Sequence, residues 1–113
     1  MRLAVPTELD AAVAAIKAWA DNEPLISRVI IFGSRLRQTH RPDSDLDIAV
    51  SLASPEGEML LHWIDNKGRW ERDLSLRVGL AVDLDFAQPA LAPRVWGYLQ
   101  SGCAEVYRRL TAT

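Results

Sequence analysis

The chain has 113 residues, 49% of them hydrophobic and 25% charged, with a formal net charge of −2. That length predicts one domain, 1–113, around one core, and the composition is ordinary for a soluble globular protein. The slight acidity argues against a protein whose main task is coating nucleic acid, because such proteins carry a basic face, and no direct DNA binding is expected. Cys103 is the only cysteine, which excludes an intrachain disulfide and the paired-cysteine zinc motifs. Glu8 and Asp10 fall where a signal peptide needs an apolar run. No segment approaches the roughly 18 apolar residues of a membrane span, so no membrane partner is expected and the cytoplasm is the expected location.

Thr7 is placed to cap a helix, with Asp10 three residues on as an approximate capping box. Leu9, Val13, Ile16 and Ala20 recur at helical spacing, as do Ala12 and Trp19, which predicts an amphipathic helix from about Glu8 to Asp21. Arg28 to Phe32 is β-branched and aromatic and reads as a buried strand bounded by Gly33. Gly33 to Asp43 is polar and arginine-rich and reads as a loop, with or without a short helix. Leu46 to Leu52 is a second strand, with Leu46, Ile48 and Val50 on one face and Asp47, with Asp45, on the other.

Ser54-Pro55-Glu56 opens a long helix to about Arg77. Leu60, Trp63, Ile64, Lys67, Trp70 and Leu74 are its expected inner stripe, and Gly68 weakens it by about 1 kcal/mol against alanine. Leu80 to Phe86 reads as a third strand. Pro89 and Pro93 lead into a last helix ending near Gly102, and Glu105 to Tyr107 is a short closing strand. The order predicts a compact α/β (α+β) domain: a small mixed β-sheet flanked by helices on one side.

The chemistry lies between Gly33 and Asp47. A Gly33-Ser34 pair follows a hydrophobic strand, and Asp45-x-Asp47 opens the next strand after ten intervening residues. Side chains two apart on a strand share a face, roughly 6–7 Å apart at the backbone, and two metal ions about 3.5–4 Å apart fit between such carboxylates. Asp83, in the apolar run Ala81 to Leu84, is the expected third carboxylate, with Asp85 on the same face as its rival. Three clustered carboxylates repel one another unless a cation compensates them, and Mg²⁺ commonly binds through a few carboxylates plus substrate phosphates.

Gly33 allows a sharp turn and close approach of a ligand, and the Ser34 hydroxyl with nearby backbone N–H groups can hold a phosphate oxygen. Arg35 is the arginine most expected to touch phosphate, ahead of Arg37 and Arg41. Taken singly these features are ordinary: Asp-x-Asp is usually a solvent face and Gly-Ser usually a turn. At roughly 5–7% usage per residue type, however, their joint spacing arises by chance about once per thousand such chains. Asp43 reads as a loop or capping residue, His40 as a surface histidine, the Trp63/Trp70 stripe as core, and Cys103 as a half-buried apolar group.

The pattern G-S-x₁₀-D-x-D followed by Val82-Asp83-Leu84 resembles the polymerase-β-type nucleotidyltransferase superfamily, specifically its minimal (MNT) branch, over nearly the whole chain. The resemblance implies a nucleotidyltransferase fold and transfer of a nucleoside monophosphate, with AMP from ATP as the expected donor reaction, to a hydroxyl. It implies that Gly33 and Ser34 grip the triphosphate, that Asp45 and Asp47 ligate two Mg²⁺ ions, and that Asp83 is the third carboxylate, helping to activate the hydroxyl. It further implies a HEPN-domain toxin as partner, with the chain its antitoxin. The alternatives are a non-catalytic antitoxin acting by stoichiometric binding and a small-molecule (antibiotic-type) nucleotidyltransferase. Self- or hetero-association is left open. Gln38 departs from the family, standing where many relatives carry glycine or another small residue.

Overall fold

A computed structural model describes residues 3–88, 96, 97, 100 and 102–109. A single 3₁₀ turn at Thr7–Leu9 runs into α1 (Asp10–Asp21), and then come β1 (Ile26–Phe32), a short α2 (Gly33–Arg37), β2 (Leu46–Leu52), α3 (Glu56–Val78), β3 (Val82–Phe86) and β4 (Cys103–Arg108). The last helix expected from Pro89 and Pro93 falls mostly outside the described residues, although Trp96, Gly97 and Gln100 are helical.

The four strands form one mixed sheet in the order β3-β2-β1-β4. β1 pairs antiparallel with β2 and with β4, whereas β2 and β3 are parallel. A parallel pair needs a long crossover, and the 23 residues of α3 supply it. Strand alternation divides the sheet cleanly. Val29, Ile31, Leu46, Ile48, Val50, Leu84 and Phe86 face a core shared with Leu9, Ile16 and Trp19 from the first helical segment and Trp70 and Leu74 from α3. Trp19 meets Trp70 edge-on at 6.3 Å, and Trp63 stacks on Phe86 at 5.2 Å, so three of the four tryptophans anchor one helical layer. Ile30, Phe32 and Ala49 look the other way, into a small second cluster with Ala87.

Two expectations change. Thr7 makes no side-chain cap; Pro6 precedes a 3₁₀ turn whose first closing bond runs from the Leu9 N–H to the Pro6 carbonyl, at 3.0 Å. Past the other end of α1 the guanidinium of Arg109 donates to the carbonyls of Ala20 in the last turn, Glu23 in the loop and Ile26 at the start of β1, tying the helix end to the strand that follows. The inner stripe of α3 is also narrower than expected. Trp63, Trp70 and Leu74 point inward, but Leu60 and Ile64 are 46% and 64% exposed, and Lys67 is exposed. The sheet offers the helix one face, and the large indoles of Trp63 and Trp70 already fill it.

β3 is an edge strand, with outward-facing N–H groups open to wrong pairings. α3 closes that edge from its own side chains. The Ser75 hydroxyl accepts from the Val82 N–H at 3.1 Å, and the Glu71 carboxylate accepts from the Leu84 N–H at 2.9 Å. Four residues along a helix match two along a strand closely enough for both bonds to form. Gly79 (φ +79°) then turns the chain from α3 into β3. Replacing Glu71 with Ala leaves the Leu84 N–H unpaired, and the expected loss is about 1–2 kcal/mol of unfolding free energy in urea titration. Glu71→Gln, which keeps an acceptor oxygen, is expected to lose less than half of that.

Candidate active site

Strand register builds the site. Phe32 lies beside Asp47 across the β1–β2 pair, and Asp47 lies beside Asp83 across the β2–β3 pair. Phe32, Asp47 and Asp83 therefore form one lateral row on the face away from α1 and α3. Asp85 sits one step further along β3, opposite Ala49. The chain leaves β1 directly after Phe32, so the Gly33–Ser34 turn begins at this row.

Gly33 has φ +81°, and a Cβ built there would overlap the Asp47 carboxylate. The turn approaches the acid this closely because the residue has no side chain. At five residues α2 has little macrodipole of its own. The turn offers an anion the Ser34 hydroxyl and local backbone N–H groups. α2 ends at Gln38, whose φ of +61° is left-handed. The left-handed region costs a residue with a Cβ about 1–2 kcal/mol, which is the physical reason a glycine would suit this position.

A cavity of about 320 Å³ opens over the row, lined by Phe32, Gly33, Ser34, Arg37, Asp47, Asp83 and Asp85. Its size is at the lower end for small-molecule sites. Of the expected site residues, Gly33, Ser34, Asp47 and Asp83 line it. Asp45 does not; it stands exposed one residue before β2, near enough for its charge to act on Asp47. Arg35 is 9% exposed and points into the following loop, donating to the Ser44 carbonyl at 2.9 Å and toward that of Pro42 at 3.3 Å. Arg35 therefore fixes the segment that delivers Asp45, and Arg37 is the arginine facing the cavity. Both Asp83 and Asp85 line the cavity, so the choice between them is not exclusive. Asp83-x-Asp85 repeats the spacing of Asp45-x-Asp47, which was the available signal for a fourth carboxylate.

The electrostatics follow from crowding. Burial, then the charges of Asp83, Asp85 and Asp45, push the Asp47 carboxyl up to about 6, with Arg37 acting in the opposite direction. Burial and then Asp83 also raise Asp85. Among the described residues no three His, Cys, Asp or Glu side chains converge tightly enough to enclose an ion alone. Mg²⁺ does not need such a cage, since one or two carboxylates, waters and substrate phosphates suffice. Adjacent oxygen donors with uncompensated negative charge fit such an ion, which would be held by Asp47 and Asp83, with Asp45 next to it.

A family model described as polymerase beta, nucleotidyltransferase matches residues 14–95. The chain belongs to the polymerase-beta nucleotidyltransferase family. Its similarity to the minimal branch is carried by protein adenylyltransferase MntA of Shewanella oneidensis, 36% identical over 70 residues that make up 62% of this chain and 45% of that protein. The chain thus aligns with less than half of that relative's length. Among solved structures, a toxin-antitoxin with AMP-PNP superposes with a TM-score of 0.61 at 25% identity, covering 89% of this chain and 75% of the other. A mutant of the toxin-antitoxin MntA-HpeT gives 0.57 at 24% identity, covering 87% and 73%, and bears on the fold alone. No helix among the described residues is long and apolar enough to cross a membrane.

Two outcomes test the geometry. The Asp47 carboxyl has a folded-state value of about 6, above its ordinary 3.8, so the folded protein holds that proton more tightly than the unfolded chain. The group's contribution is therefore most favourable below about pH 4 and is lost as pH rises through 6. Asp47→Asn is expected to stabilise the ligand-free protein by about 1–3 kcal/mol near pH 7.5, with the gain vanishing toward pH 4 in urea titrations. Equal stability of the two proteins at neutral pH would contradict the crowding. Gly33→Ala is expected to cost about 1–3 kcal/mol and to displace the Asp47 carboxylate, weakening nucleotide binding measured by calorimetry.

Proposed function

We propose that this chain transfers a nucleoside monophosphate, AMP from ATP, to a hydroxyl on a partner macromolecule, and that it serves as the antitoxin of a HEPN-type toxin. One observation carries the reading: the Asp47–Asp83 pair lies side by side on adjacent strands, directly against the Gly33–Ser34 turn. Family membership supports nucleotidyl transfer. The similarity to a protein adenylyltransferase and to toxin–antitoxin complexes supports a protein acceptor.

The acceptor oxygen attacks the α-phosphorus of ATP. The new P–O bond forms as the bond to pyrophosphate breaks, and the hydroxyl proton passes toward the Asp83 carboxylate. The Ser34 hydroxyl donates to an oxygen of the departing pyrophosphate, and the Arg37 guanidinium stands at the cavity wall to offset its charge. Asp45, Asp47 and Asp83 would hold two Mg²⁺ ions, whose chemistry is to neutralise phosphate charge and make the attacking hydroxyl more acidic. Catalysis is then mainly positioning and charge stabilisation.

The test is transfer of label from α-phosphate-labelled ATP to the co-purified toxin. Asp47→Asn and Asp83→Asn are each expected to lower transfer by more than about a hundredfold with circular dichroism unchanged. Undiminished transfer by both variants would refute the assignment. Full neutralisation of the toxin by a variant that no longer transfers label would replace chemistry with stoichiometric occlusion.

A further inference from the structure

We infer that the outer face of α3 is a self-association surface, on which two copies of this chain pack α3 against α3 in antiparallel orientation. The helix turns Trp63, Trp70 and Leu74 inward. On a different side it presents Leu61 and Ile64, 61% and 64% exposed. Gly57 and Gly68 flank them, and at both glycines the space a Cβ would occupy is open. Intervals of four, three and four residues place positions 57, 61, 64 and 68 on one stripe at the spacing of a coiled-coil seam. Large exposed apolar side chains grouped in this way on a helix mark an interaction face.

The stripe itself selects the occupant. Its order, small-large-large-small at symmetric spacing, reads the same from either end. Against an antiparallel copy, Gly57 meets the partner's Gly68 and Leu61 meets the partner's Ile64, so the large side chains fill the centre while the glycines let the backbones close. A parallel copy in register would also set glycine on glycine and large side chains on large ones, so charge decides between the two orientations.

Charge selects the antiparallel orientation. The first half of α3 carries Glu56, Glu58 and Asp65 and no lysine or arginine, whereas the second half carries Lys67 and Arg72, besides Arg69, already paired with Glu23 at 2.7 Å, and Arg77, which lies past the start of the partner's helix. The acids of that second half are already engaged: Glu71 with the Leu84 N–H, and Asp73 with Arg69 at 3.9 Å. Antiparallel packing sets the acidic half of each helix against the basic half of the other and opposes the two macrodipoles. Beyond Gly68 the stripe continues into a groove of about 460 Å³ between α3 and β3, flanked by Arg72 and Leu76. Such an isologous pair closes on itself and leaves the carboxylate cavity, on the opposite face of the sheet, open to substrate.

Sedimentation equilibrium of the purified chain across a concentration series tests this. The expected mass rises from 12.6 kDa toward twice that value. The Leu61→Glu/Ile64→Glu variant, altered only at exposed positions, is expected to dissociate more than about tenfold more readily. Its circular dichroism and nucleotide binding should be unchanged, which separates this result from failure of the catalytic reading. In a Cys103→Ser background, Gly57→Cys combined with Gly68→Cys should form a disulfide-linked dimer on mild oxidation. Gly57→Cys alone should not, because the two copies of that position lie about 16 Å apart along the axis. A chain that stays monomeric at every concentration would overturn the inference, as would a dimer that survives the double glutamate change. Loss of toxin binding by that variant, with the chain itself monomeric, would assign the face to the toxin and overturn it equally.

Discussion

The repulsion among carboxylates that the β2–β3 register brings together governs this structure. Asp47 and Asp83 are lateral neighbours, and the chain places them there although their charges oppose it, pushing Asp47 up to about 6 through burial and then through its acidic neighbours. Under the proposed function, a cation at that place would relieve this repulsion. Around the cluster the remaining features are accommodations: a glycine where any side chain would strike the Asp47 carboxylate, an arginine at the cavity wall, and another arginine bracing the loop that carries Asp45.

The support for this cluster comes from the far side of the sheet. β3 is an edge strand, and an edge strand free to slip would carry Asp83 away from Asp47. α3 prevents this twice, by the stacking of Trp63 on Phe86 and by the Ser75 and Glu71 side chains that hold alternate N–H groups of β3. The crossover that makes the parallel pair possible is therefore the same element that fixes its register. Once its inner face is committed to the sheet, α3 still has apolar residues on its outer face, and that surplus underlies the proposed pairing of two copies.

Much of this was legible in the residues. β2 begins and ends where its alternation predicts, because Leu46, Ile48 and Val50 must share a face with the core while Asp47 cannot. The Gly33–Ser34 turn was readable because few residue types can make that bend at the end of a strand. Asp83 was the expected third carboxylate from its place in the apolar run Ala81 to Leu84, but its position directly opposite Asp47 was not readable, since a parallel register depends on a crossover whose path no local pattern encodes. Asp85 was read as the rival of Asp83, and both line the cavity. Arg35 and Arg37 were indistinguishable by type. Their fates differ by where two residues of a short helix point, one toward the Ser44 carbonyl and the other toward the cavity. Helical periodicity also overstated the buried width of α3, because it records every apolar position and not how many of them the sheet has room to cover.

The most direct measurement follows the carboxyl ¹³C resonance of Asp47 through a pH titration, without and with Mg²⁺ and a non-hydrolysable ATP analogue. Without them the resonance should titrate near 6. With both present the midpoint should fall below the ordinary carboxylate value of about 4, because the cation supplies the charge that the cluster lacks. A midpoint that stays near 6 under saturating ligand would contradict a metal-centred role for this site.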